Sequence, residues 1–191
     1  MGIALFASFM TAVTFKGIYE GERQALEAEE MSEKGAIPYA SVFMECAEEV
    51  GWDWRLLAAL AWTESHYNPQ ARSAHGARGV MQLIPKTGKR FGLNDSTILI
   101  AEHNIRAGAR YIHYLDEHYA VVRDSAERWK FVVAAYNCGP ASITAARDSA
   151  RALGRNPNKW ASVEPLIPQA ETRGHVRKVE AVYRRIRKSE N

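Results

Sequence analysis

From Pro38 onward the apolar residues recur at three- and four-residue intervals, the spacing of helix faces. Val42, Phe43, Cys46 and Val50 share one face of a first helix, for which Pro38 suits the opening position and Gly51 the stop. Asp53 has the chemistry of an N-cap for a second helix carrying Leu56, Leu57, Leu60 and Ala61, which must end before Pro69. Ile105, Ala109, Ile112 and Leu115 make another stripe, with Gly108 allowing a neighbour to approach closely. Asp124 and Glu127 read as a capping box for a helix through Phe131, Val132 and Ala135, closed by Gly139. Pro140 then opens the next helix, and Val176, Val179, Val182, Tyr183 and Ile186 form the stripe of the last one. No stretch alternates with period two and no segment repeats. The expected fold class is therefore mainly α, with one long irregular loop over residues 68–78.

Two segments precede that pattern. Residues 3–15 are apolar except for Ser8, Thr11 and Thr14, shorter than the ~20 residues of a membrane span. Their length is that of a signal-peptide core, although no Lys or Arg precedes them and no A-x-A site follows. Residues 20–34 are acidic and polar, as in a solvated helix or linker. The expected organisation is a signal- or anchor-like segment with its linker over 1–34 and one domain over 35–191, with export and possible membrane attachment through the first segment.

Composition narrows the class. The 191 residues are 47% hydrophobic and 25% charged, close to the globular average, which excludes a disordered tail and a polytopic membrane protein. Two cysteines, Cys46 and Cys138, cannot form a disulfide framework. No H-E-x-x-H and no paired C-x-x-C occurs, so neither a metal nor a cofactor is expected. Residues 1–50 hold 3 Lys/Arg against 9 Asp/Glu, which leaves the remainder basic. A basic body suits nucleic acid, anionic lipid or an acidic polymer such as a cell-wall glycan. Nucleic acid has only this charge in its favour, with no binding motif, and is not expected as a partner. The cluster Arg184, Arg185, Arg187 and Lys188 reads as a solvated helix terminus.

Glu64 is the carboxylate in an unusual place. It follows Leu60 by four and Ala61 by three, so it extends the apolar face of its helix, in a last turn where the dipole disfavours negative charge. An apolar surround favours the protonated form of a carboxyl, and a protonated carboxylic acid facing a cleft is what a general acid must be. The alternatives are a glutamate that points outward or one paired with an arginine.

The residues around Glu64 carry a resemblance. Glu64-Ser65 is followed by Ser73, by Gly79-Val80-Met81-Gln82-Leu83 and by Thr87. Asn104 to Leu115 contains Ala107-Gly108 and Tyr111; Ala135-Tyr136-Asn137 comes next, and Glu171-Thr172-Arg173 with Val176 closes the series. In this order and spacing they resemble the catalytic domain of the soluble lytic transglycosylases, over residues 39–186. Within that family, Ala146-Arg147-Asp148 through Pro157 and Trp160 look like the catalytic half of the membrane-bound lytic transglycosylase F group. Those relatives place a solute-binding-type domain upstream, so the chain is expected to be the catalytic module alone. Val80 stands where the family usually has Leu, and His175 where it commonly has Tyr.

The resemblance implies a lysozyme-like helical fold with a cleft, and peptidoglycan glycan strands as the partner. It implies cleavage between N-acetylmuramic acid and N-acetylglucosamine without water, leaving a 1,6-anhydro end. Glu64 would be the catalytic acid and then the base, with help from the substrate's acetamido group. Tyr136 and Asn137 would orient that group, Ser73 would bond the sugar or Glu64, Met81 and Gln82 would shape the floor, and Glu171 would line the groove. From the residues themselves, a turn-forming Ser73, a core Met81 and a surface pair of Glu171 with Arg173 stay open. Trp52, Trp54 and Trp129 read as core. A true hydrolase on the same fold, of goose-type lysozyme or chitinase character, and a non-catalytic glycan-binding module are the alternative functions.

Overall fold

Every apolar stripe becomes the buried face of a helix in the computed structural model, which describes residues 37–189. The apolar segment 3–15 and its linker lie outside the described residues. Eight α-helices are found among them: α1 Ala40–Val50, α2 Trp54–Ser65, α3 Pro85–Arg90, α4 Ala101–His118, α5 Ser125–Cys138, α6 Pro140–Ala152, α7 Trp160–Val163 and α8 Ala170–Ser189. A short 3-10 turn, Glu164–Leu166, separates α7 from α8. No strand is present among the described residues; Arg78 makes isolated bridges to Arg72 and Leu83.

Local chemistry sets most helix ends. The Asp53 carboxylate accepts the Arg55 amide at 2.9 Å, and that of Asp124 accepts the Ala126 amide at 3.0 Å. Gly51 terminates α1 in the left-handed region at φ 71°. Gly139 ends α5 at φ 87°, and Pro140 begins α6 directly after it. Two ends depart from expectation. Tyr39 takes a left-handed φ of 60°, so α1 starts at Ala40 and Pro38 sits in the preceding turn. Glu127 does not complete a capping box: its carboxylate reaches 33 residues along the chain and accepts the Trp160 amide at 2.6 Å, capping the start of α7 instead.

Packing follows from which helices are enclosed. Phe131 to Ala135 on α5 are all 0% exposed, and five consecutive residues cannot share one face, so α5 is surrounded on all sides. Leu57 to Ala61 on α2 are equally buried. Around this pair, α1 packs on α2 and α4, α4 on α5, and α5 on α6. Amphipathic α8 buries Val176, Val179, Val182 and Ile186, and its Tyr183 hydroxyl donates to Asp53 at 2.8 Å.

Trp52, Trp54 and Trp129 are a correction to the sequence reading, since all three are half-buried at the rim and outside the core. Each has a polar group to satisfy or a cation to cover. The Trp52 indole donates to Asp116 at 3.2 Å, Arg55 lies over Trp54, and Lys130 lies over Trp129. Trp160 enters the core instead, edge-on to Phe131. Arg147 also goes inside, beside Tyr119 and Phe131. It is held by bonds to the Pro157 carbonyl at 3.0 Å and to Asn158 at 2.7 Å.

Candidate active site

A chain that must present a carboxylate at a helix end needs a sharp exit, and α2 has one. His66 and Tyr67 adopt left-handed φ values of 54° and 60°, turning the chain away directly after Ser65. Glu64 is left one residue inside the helix end, its side chain 14% exposed. Ser65 is buried, and its hydroxyl donates to the Val80 carbonyl at 2.7 Å. The Glu-Ser pair thus joins the acid to the segment that runs beneath it.

That segment, residues 79–83, forms the floor, and Asn104 on α4 holds it. The Asn104 amide is 0% exposed. It accepts the Met81 amide N–H at 2.7 Å and donates to the carbonyls of Arg78 at 3.1 Å and Ile98 at 2.8 Å. Two glycines make this approach possible. A Cβ on Gly79 would stand 2.5 Å from Asn104 Nδ2 and 2.7 Å from the Ile98 carbonyl, and one on Gly108 would stand 2.7 Å from Met81 Cγ. Gln82, at φ 46°, folds its side-chain amide back to the carbonyls of Gly79 at 2.9 Å and Ala71 at 3.2 Å, closing the loop onto the floor.

From the other side, the end of α5 brings Tyr136 and Asn137. The Tyr136 hydroxyl donates to the Met81 carbonyl at 2.6 Å. Burial, and secondarily the Glu64 and Tyr111 side chains, push its phenol well above the ordinary value, so it stays a donor. The Thr172 hydroxyl, 1% exposed at the start of α8, donates to the Asn137 side-chain oxygen at 2.7 Å. This fixes the amide plane and turns its NH2 group away from Thr172. Burial raises the Cys138 thiol also.

These elements enclose a cleft of about 700 Å³ lined by Glu64, Ser73, Gln82, Tyr136, Asn137 and Glu171, with Thr87, Tyr111, His75 and Thr172 among the other walls. Met81 does not line it: the side chain is 1% exposed, packed beneath the floor against Gly108, and only its carbonyl serves Tyr136. Ser73 lines the cleft, and its hydroxyl accepts the Ala77 amide at 3.0 Å, a turn bond. Glu171 is exposed in the first turn of α8; Arg173 donates to the Ile167 carbonyl, so the surface pair of those two is not made.

Four site residues escaped the sequence reading or lay in it without a role: Ser65, Asn104, Thr172 and His175. The last stands with Nε2 3.3 Å from Glu64 Oε1, the two side chains only 11% and 14% exposed. The available signal for Asn104 was its place on the apolar side of an amphipathic helix, beside Ile105 and one turn before Gly108.

The transglycosylase SLT domain family matches residues 41–159. Among curated proteins, the chain is 39% identical over 154 residues to a membrane-bound lytic murein transglycosylase F of Aeromonas hydrophila, covering 80% of this chain and 30% of that protein. A protein of the same name from Marinobacter nauticus is 38% identical over 130 residues, covering 68% of this chain and 26% of its own. The chain therefore spans about 30% of the length of such relatives. Among solved structures, the 70 kDa soluble lytic transglycosylase of Escherichia coli superposes with a TM-score of 0.68 at 24% identity, over 91% of this chain and 29% of that one. A lytic transglycosylase of Pseudomonas aeruginosa gives a TM-score of 0.60 at 22% identity, covering 88% of this chain and 28% of that one. The likeness to these structures is one of fold, lysozyme-like and helical. With the motifs gathered around one cleft and the family matched across most of the helical unit, the chain belongs to the transglycosylase SLT domain family.

Proposed function

We propose that this chain is a peptidoglycan lytic transglycosylase in which Glu64 is the proton donor and acceptor. The observation that carries this reading is that Glu64 is, among the described residues, the one enclosed carboxylate of the cleft. Among the described residues, Asp53 is bound to Arg55 and Tyr183, and Asp95 lies exposed beside Arg78; neither lines the cleft. A hydrolase ordinarily uses two carboxylates, one to protonate the leaving oxygen and one to attack or to activate water.

With a single acid the chemistry has to close on itself. Glu64 protonates the oxygen between N-acetylmuramic acid and N-acetylglucosamine as the bond to the anomeric carbon breaks. The 2-acetamido oxygen stabilises the cationic sugar, and the Asn137 NH2 and the Tyr136 side chain orient it. The resulting Glu64 carboxylate takes the proton of the muramyl C6 hydroxyl while that oxygen bonds the anomeric carbon. A 1,6-anhydro end forms, no water is consumed, and Glu64 regains its proton. Gln82, Ser73 and Glu171 serve as walls for the neighbouring sugars. The substrate places the activity in the bacterial cell envelope. No helix among the described residues is long and apolar enough to cross a membrane, and the attachment proposed for segment 3–15 is tested by fractionation.

One observation favours the hydrolytic alternative: Glu171 is a second carboxylate on the cleft wall. Digestion of purified sacculi separates the two. Transglycosylation yields fragments lighter by one water, with ends that borohydride does not reduce, whereas hydrolysis yields reducible ends. Retention of the anhydro product by Glu171→Gln supports Glu64 acting alone.

A further inference from the structure

We propose that His175 is a positioning residue that shares the working proton with Glu64, so that the pair, and not a lone carboxyl, enters each turnover singly protonated. The inference deepens the reading of Glu64 as acid and base and rests on it. Its ground is geometric. His175 reaches Glu64 from α8: Nε2 lies 3.3 Å from Glu64 Oε1 and is buried without a hydrogen-bond partner. A buried ring nitrogen left unpaired is costly, and the nearest group able to satisfy it is this carboxylate. The present approach has the distance of an ion pair without hydrogen-bond alignment; catalytic bonds of this kind tighten as substrate fills the site. The start of α8, which sets the ring's position, is itself tied across the cleft by the Thr172–Asn137 bond.

The requirement it meets is specific to single-acid chemistry. The same carboxyl must hold a proton in the first step and lack it in the second. A carboxyl ordinarily releases its proton near pH 4, whereas an imidazole changes charge between about pH 5 and 8. Coupled groups lose protons in steps that belong to the pair, and the upper step of an acid–imidazole pair lies above that of a lone acid. The pair gives its proton to the glycosidic oxygen as the C1–O bond breaks, leaving the carboxylate beside a neutral imidazole. It recovers a proton from the C6 hydroxyl as that oxygen closes on C1, so the proton count is restored without a further reactant. An aromatic hydroxyl at position 175 can donate a bond to the carboxylate but cannot take up a proton near neutrality.

Other titratable groups surround the pair. Tyr136 and Cys138 on α5 and Tyr111 on α4 are all pushed up by burial and remain protonated at neutral pH. On α8, Glu171 is exposed one turn before His175, and Lys178 is exposed on the turn after it. At the end of α2, the His66 ring packs edge-on against Trp62; His75 lines the cleft from the loop. Of these groups, His175 makes the ion-pair contact with Glu64 among the described residues.

The test is the pH profile of kcat/KM for anhydro-product formation from soluble peptidoglycan. In His175→Gln and His175→Tyr the alkaline limb should move at least about one pH unit lower, with ~10-fold or greater loss on that limb and little change at the acid end. His103→Asn, on the exposed face of α4 and outside the cleft, should leave the limb in place. A uniform loss across pH, or an unmoved limb, overturns the proposal. Should both variants fail to fold, the His175 ring can be titrated by NMR in the intact protein and in Glu64→Gln. A midpoint that shifts between the two supports the pair, and an identical midpoint overturns it. Activity surviving in Glu64→Gln would instead overturn the underlying reading of the site.

Discussion

The hydroxyl of Ser65 donates to the carbonyl of Val80 at 2.7 Å, joining the last residue of α2 to the floor that runs below the acid. Glu64 is the residue before it, so this bond helps to fix the height of the carboxyl above the floor that Asn104 and Tyr136 also hold. Its partner carbonyl is buried, and no water can replace the serine without a cavity.

Ser65→Ala should therefore cost about 1–3 kcal/mol, the penalty of leaving a buried acceptor unpaired, measured by urea denaturation. Turnover should fall as well, through misplacement of Glu64. A variant as stable as the parent would show that Val80 finds another donor.

Glu64→Gln should fold and lose about two to four orders of magnitude in turnover, because the amide keeps the shape and cannot deliver or reclaim a proton. Circular dichroism checks the fold, and product formation from sacculi checks the rate. Turnover equal to the parent would remove Glu64 from the mechanism.

Gly79→Ala and Gly108→Ala should both destabilise, and unequally. At Gly108 the new methyl meets Met81, a side chain that can shift, for an overpacking cost of about 1–3 kcal/mol. At Gly79 it meets the Ile98 carbonyl and the Asn104 amide, at a φ of 81° that alanine disfavours. The second variant should lose more stability, and thermal unfolding of the pair side by side measures the order.

High pH should unfold the protein through its phenols. Burial raises Tyr67, Tyr111, Tyr136 and Tyr183, and it pushes Tyr119 up to about 12. Phenols of an unfolded chain ionise near pH 10. Above that the folded state binds more protons than the unfolded state, so stability is complete below about pH 10 and falls as pH rises through the folded values. Denaturation midpoints across that range, read beside phenolate absorbance, check the direction; a midpoint unchanged up to pH 12 would contradict it.

Helix faces and most helix ends were legible in the sequence because they depend on neighbours within a turn or two. The Val42–Phe43–Cys46–Val50 stripe, the Asp53 and Asp124 caps, and the breaks at Gly51 and Gly139 all obey rules of that range. The motif around Glu64 was legible too, since its residues keep a fixed order. The pairing of polar groups across the cleft was not. Asn104 serves Met81 and Arg78, 23 and 26 residues away, and Thr172 holds Asn137 at a separation of 35. Glu127 looked like a local cap and was drawn to Trp160, because a buried amide at the start of α7 has greater need of an acceptor than one at a solvated helix start. His175, legible only as a departure from the family's usual tyrosine, acquires a partner because α8 returns along the end of α2. Local hydrogen bonding and apolar periodicity act along the chain and are written in it; desolvation forces distant polar atoms to find one another, and only the folded path decides which ones meet.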